Sequence, residues 1–220
     1  MDIREAIAAR HSVRRFTGRK VEEEAAAALR AEIEEINREC GFHFALCLDE
    51  PEAFQANKPH YGSFSGARNY IALAAPKGAD TEVGYQGERL VLLAQMLGLN
   101  SCWVALTFEK GKVTVPVGDG ERLYDLIALG YGETQGKPHK SKSVEKCAKI
   151  RADSPQWFLD GVAAAMLAPT AMNQQRFYLE QTGEHTVRAE ARFGPCSKTD
   201  LGIVKYHFEA GAGRENFSWD

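Results

Sequence analysis

The stretch GERLVLLAQMLGL, residues 87–99, is apolar on nearly every face of the helix that its spacing implies. A helix without a polar stripe has no side to present to water, so protein must cover it all round. Whatever fold this chain adopts must therefore bury that helix, with Gly98 placed to end it. The chain has 220 residues, 44% hydrophobic and 26% charged, enough for one sizeable core. No proline- or serine-rich linker divides it, so a single domain over 1–220 is expected.

The rest of the chain mixes helices and strands. A short helix is expected at 2–10. A longer one is expected over 21–40, where Ala25, Leu29, Ile33 and Ile36 recur at helical spacing and Gly41 suits the stop. Phe42, Phe44, Leu46 and Leu48 then alternate with smaller or polar neighbours, the pattern of a half-buried strand. Residues 49–68, with Pro51, Pro59 and several glycines, suit a surface loop or lid. Residues 69–75 read as an apolar strand, and 123–133 as a central strand running into a glycine turn. Ser154 is placed to cap a helix with Pro155 in its first turn, and Pro169 stops that helix. A hairpin is expected around Thr182, Gly183 and Glu184, and Asp200 is placed to cap a last helix. With no regular βαβ alternation, the class is α+β, built on a mixed or antiparallel sheet. The two parts at about 1–135 and 150–220 echo each other weakly, which leaves room for an internal pseudo-dimer.

Charge and composition exclude several functions. The net charge of -3 and pI near 6.1 give no general footprint for nucleic acid. No stretch reaches the roughly 18 apolar residues of a membrane span. Asp2, Glu5 and Glu22–Glu24 argue against a transit peptide, so a cytoplasmic protein is expected. The five cysteines are odd in number and form no C-x-x-C pair, which points to reduced thiols rather than zinc or a disulfide framework. The histidines are scattered and form no metal-ligand set.

Four stretches could carry chemistry. RHSVRRF concentrates Arg10, His11, Ser12, Arg14 and Arg15 where a helix gives way to extended chain. Guanidinium and hydroxyl groups there could hold a phosphate, although an arginine-rich turn is also ordinary surface. GYGETQGKPHKSKS adds Lys140 and Lys142, which could serve the same anion or simply be solvated. LGLNSCWVAL runs from the buried helix into a strand through a loop with Ser101, Cys102 and Trp103, which could offer backbone N–H groups or be plain core. LAPTAMNQQRFYLE places Pro169 and Thr170 before three consecutive carboxamides, Asn173, Gln174 and Gln175. There is no nucleophile elbow, zinc-protease helix, Walker loop or dinucleotide fingerprint. An enzyme of this kind would leave its hard chemistry to an organic cofactor, so no catalytic side chain is assigned.

Together these segments resemble the nitroreductase family of FMN-dependent oxidoreductases, and most closely a subgroup that shares LAPTAMNQQ and DLGIVKYHFEAGAG. The resemblance implies a nitroreductase-like domain that binds FMN. Hydride would pass from NAD(P)H through the flavin to a nitroaromatic, quinone or similar small-molecule acceptor. The family's R-x-S-x-R pattern falls on Arg10, Ser12 and Arg14, with His11 between them. Arg10 and Ser12 would hold the phosphate and ribityl chain, and Arg14 would sit near the pyrimidine edge. Pro169, Thr170, Asn173 and Gln175 match the motif whose carboxamides contact the ring. Lys140 or Lys142 would be the second phosphate ligand, and Ser101, Cys102 and Trp103 would lie near the isoalloxazine. The carboxamide motif here follows the buried helix, whereas in most of the family it precedes it. That order fits either a homodimer or a pseudo-dimeric monomer that completes its own site. No metal, nucleic acid or membrane enters this reading. A non-catalytic relative that binds flavin or another phosphorylated ligand is the alternative.

Overall fold

The computed structural model describes residues 1–55 and 63–220. Among the described residues there are five α-helices: α1 (Ile3–Ala9), α2 (Glu23–Cys40), α3 (Asp80–Met96), α4 (Gln156–Ala165) and α5 (Ser197–Ala212). Strands β1 (His43–Cys47), β2 (Asn69–Pro76), β3 (Asn100–Val104) and β4 (Glu121–Gly130) make one sheet. A second sheet holds β5 (Ala148–Lys149), β6 (Phe177–Gly183), β7 (Thr186–Ala191) and β8 (Ser218–Trp219). The class is α+β, as expected.

The described chain divides into two compact units. One comprises Arg10–Ala79 and Leu90–Lys137. The other comprises Met1–Ala9, Asp80–Arg89 and Pro138–Asp220.

In the unit with the first sheet, strand order is β1-β2-β4-β3 and every pairing is antiparallel. Asn69–Ala75 of β2 are all buried, so both faces of that strand are covered. Leu29, Ile33 and Ile36 form the buried stripe of α2, which packs on β1. Each such side chain contributes on the order of 1.5–3 kcal/mol by leaving water. A cluster of Val13, Phe16, Tyr70, Val104 and Leu126 is a core of this unit. The expected loop or lid at 49–68 contains Pro51–Phe54, a short 3-10 turn, and its stretch 56–62 lies outside the described residues.

In the other unit the second sheet is mixed. Strands β5 and β6 run parallel, β6 and β7 form the expected hairpin, and β8 joins β7 in parallel. Helices α4 and α5 pack together, with Phe158 and Phe208 edge to face at 5.7 Å.

Three local expectations need correction. The buried helix begins seven residues early, at Asp80. Its first turns hold Asp80, Glu82 and Gly84, which hide the apolar period there. Ser154 does not cap α4, because its Oγ accepts from the Arg151 N–H at 2.9 Å and closes the turn before the helix. Helix α5 starts at Ser197, so Asp200 lies inside its first turn, and its carboxylate bonds outward to a neighbouring loop instead of capping.

Candidate functional site

The segment after α1 runs extended along the free edge of β3. Ser12 pairs with Ser101, and the Val13 N–H donates to the Ser101 carbonyl at 3.0 Å. Ser65 flanks the same segment, through Phe16 N–H to its carbonyl at 2.8 Å and its own N–H to the Arg14 carbonyl at 3.0 Å. Along the segment Val13 and Phe16 are buried in the core, while Ser12 and Arg14 are exposed. Arg10, at the start, is only 4% exposed and engaged with its surroundings. Behind it, Gly136 adopts φ 76°, and a Cβ there would come within 2.7 Å of His11. Only glycine meets both demands, and that lets the glycine turn lie against RHSVRRF. Asn100 ties the same turn down, accepting from the Gly132 N–H and donating to Gln135, each at 2.9 Å.

Ser101, Cys102 and Trp103 belong to strand β3, which corrects the expectation of a loop. Pairing draws them in: their backbone joins β4 on one side, and Ser101 meets Ser12 and Val13 on the other. Burial pushes the Cys102 thiol up, against Arg14, Ser12 and Arg10, which pull it down. The structure thus brings Arg10, Ser12 and Arg14 beside Ser101–Trp103.

The remaining expected residues lie in the other unit, around the turn between α4 and β6. Met172, Asn173 and Gln175 have φ of 52°, 52° and 42°. Left-handed backbone is costly for residues that carry a Cβ, and three in one turn need support from outside it. The Thr170 Oγ1 accepts from the Gln175 N–H at 3.0 Å. The Gln175 side chain is 2% exposed; it accepts from the Lys142 N–H at 2.7 Å and donates to the Met166 carbonyl at 3.2 Å. Gln174 donates to the Pro195 carbonyl at 2.5 Å and to Asp200 at 2.9 Å. Asn173 donates to the Lys140 carbonyl at 2.8 Å, and its carboxamide oxygen meets no donor among the described residues.

The two lysines differ in the same way. The Lys142 ammonium donates to the carbonyls of Gln174 and Gln175. Lys140 is exposed, and no acceptor among the described residues meets its ammonium. Pro169 is buried at the start of the turn. Asp200, to which the sequence gives no site role, holds the turn from outside by accepting from the Ala171 N–H and from Gln174. The signal for Asp200 was an acid in a helix's first turn, which also reads as a cap.

A separate cleft of about 360 Å³, lined by Phe54, Phe64 and Arg68 among others, takes in none of these residues. Among the described residues there is no cluster of metal-ligating side chains, and no helix is long and apolar enough to cross a membrane. No disulfide joins the cysteines, and Cys47, Cys102 and Cys147 are buried.

These elements have counterparts in solved structures. The crystal structure of "a putative nitroreductase" from Thermotoga maritima superposes with a TM-score of 0.67 at 24% identity, over 98% of this chain and 85% of that one. An FMN-dependent nitroreductase from Clostridium difficile gives a TM-score of 0.50 at 16% identity, over 68% and 98% of the two chains. A "Putative NADH dehydrogenase/NAD(P)H nitroreductase" from Parabacteroides distasonis gives 0.53 at 20%, over 69% and 98%. The fold is therefore nitroreductase-like. Residues 2–212 match the family model described as "Putative TM nitroreductase", and the chain belongs to that family. The comparison with curated proteins gives no match.

Proposed function

We propose that this chain is an FMN-dependent oxidoreductase that takes hydride from NAD(P)H and reduces a nitroaromatic, a quinone or a similar small acceptor. The observation that carries the reading is the pairing of Ser12 with Ser101. It sets a buried arginine, an exposed hydroxyl and an exposed arginine along one strand edge, next to the residues that the family resemblance puts beside a flavin. That donor set fits a phosphorylated ligand, since guanidinium and hydroxyl groups bind phosphate by charge-assisted hydrogen bonds.

The chemistry supplied by bound FMN is two-electron transfer from a nicotinamide to an acceptor. This chain's residues bind and tune. In the unit with the first sheet, Arg10 and Ser12 hold phosphate and ribityl oxygens, and Arg14 offers a cation to negative charge on the ring. In the other unit, Lys140 is the lysine left to meet an anion, because the Lys142 ammonium already serves two carbonyls. Asn173 keeps its carboxamide oxygen for a ligand, while Gln175 braces the turn through the backbone.

The test is an absorbance spectrum of the purified protein, reconstituted with FMN and then mixed with NADH or NADPH under anaerobic conditions. The expected result is a flavin band that bleaches with at least one nicotinamide. Protein that takes up no FMN overturns the reading. FMN that binds but is reduced by neither nicotinamide points to the non-catalytic binding protein instead.

A further inference from the structure

The three carboxamides at 173–175 have different duties. Gln175 is buried and bonded at both ends to backbone, and Gln174 is bonded to Pro195 and Asp200. Asn173 and Gln174 each keep a carboxamide oxygen that meets no donor among the described residues, but the Gln174 amide is tied twice, to Pro195 and Asp200, whereas Asn173 makes one bond, to the Lys140 carbonyl. The backbone on which it stands is left-handed at Met172, Asn173 and Gln175, a shape the turn would not hold alone.

What holds it from outside is Asp200. One carboxylate oxygen accepts from the Ala171 N–H at 2.9 Å, and the other accepts from Gln174 at 2.9 Å. The aspartate is itself fixed, since its N–H donates to the Cys196 carbonyl at 2.8 Å in the first turn of α5. It is 3% exposed, and its side chain gives no hydrogen bond to its own helix end. Burying a carboxylate is unfavourable unless it is well bonded, and here both bonds go to the turn.

We propose that Asp200 is the positioning residue of the carboxamide turn: by holding the Ala171 N–H and Gln174, it sets Asn173 where its carboxamide oxygen can meet the bound ligand. Asp200 touches no ligand itself. The proposal rests on the FMN reading for the identity of that ligand. The brace does not depend on it.

The experiment compares wild type with Asp200→Asn, Asp200→Ala and Gln174→Ala. It reads hydrogen exchange at the Ala171 amide in FMN-free protein, and FMN affinity by flavin fluorescence. Asp200→Asn keeps an acceptor for the Ala171 N–H but turns a donor toward Gln174, so it should rescue in part. The expected order of Ala171 protection and of FMN affinity is wild type, then Asp200→Asn, then Asp200→Ala. The last should bind on the order of tenfold more weakly, with circular dichroism unchanged. Gln174→Ala should fall between wild type and Asp200→Ala, and it carries the comparison if Asp200→Ala does not fold. Wild-type protection at Ala171 in Asp200→Ala, or no rescue by asparagine, overturns the proposal. A wild-type protein that takes no FMN overturns the flavin reading instead, and Ala171 exchange then decides the brace by itself.

Discussion

His207 and Glu88 meet with Nε2 and Oε1 2.8 Å apart, and water reaches neither side chain. The other ring nitrogen of His207 faces the Ala164 carbonyl at 3.1 Å, so Nδ1 must carry a proton. Removing the histidine takes the Nε2 partner from a buried acid, and breaking a buried pair in this way costs about 3–5 kcal/mol. Glu88→Gln should cost far less, about 1 kcal/mol, because its amide can donate to a neutral ring. Urea unfolding of His207→Ala and Glu88→Gln measures the contrast, and equal losses would refute this assignment. Sequence shows little of such pairing, since residues 88 and 207 are far apart in the chain and each looks ordinary in its own helix. The same holds for the carboxamides: their types were legible at 173–175, but which of them bonds backbone depends on Lys142, Met166 and Asp200.

At the scale of elements, the unit of α4 and α5 relies on bare backbone where helices cross. A Cβ on Gly202 of α5 would lie 1.8 Å from the Thr81 carbonyl oxygen, and one on Gly84 of α3 would lie 2.0 Å from that of Thr199. Both obstacles are backbone, which cannot swing aside as a side chain can, so the helices would have to separate. Gly202→Ala should therefore lower stability by about 1–3 kcal/mol or more. Gly111→Ala, where a Cβ would meet nothing within 4 Å, should stay within about 0.5 kcal/mol of wild type. Thermal and urea melts of the two variants test this, and a neutral Gly202→Ala would mean that the crossing is looser than described. Helix α2 was legible because its apolar stripe repeats at 3.6 residues and Gly41 follows it. The start of α3 was not, because Asp80–Gln86 mixes acids, glycine and apolar residues. Strand β3 read as a loop because its first three residues are small and polar or sulfur-bearing, while the pairing that makes it a strand comes from β4 and from Ser12.

Across the whole chain, the family was legible from four separated motifs, whereas the contacts that organise them were not, because strand-edge pairing such as Ser12 to Ser101 leaves no local period. Asp200 shows how one such contact reaches global stability. Burial pushes its carboxyl up from an ordinary 3.8 to about 6, outweighing the Ala171 N–H and Gln174, which pull it down. What faces it across the turn is that N–H and that carboxamide, with no charged group among the causes of the shift. The folded protein thus holds this proton more tightly than the unfolded chain does. Its contribution to stability is complete below about pH 3.8 and is lost as pH rises through about 6. At 1.36 kcal/mol for each pH unit, the difference amounts to about 3 kcal/mol. Other groups also titrate, so the observable is wild type minus Asp200→Asn, since asparagine cannot ionise. The variant should gain about 2 kcal/mol of that relative to wild type between pH 4 and pH 7 and then level off, whatever fixed offset its altered hydrogen bonds bring. Urea unfolding of both proteins across that range reads the difference directly. A flat difference would mean that Asp200 ionises as readily in the folded protein as in the unfolded chain, and that the turn it braces is open to water.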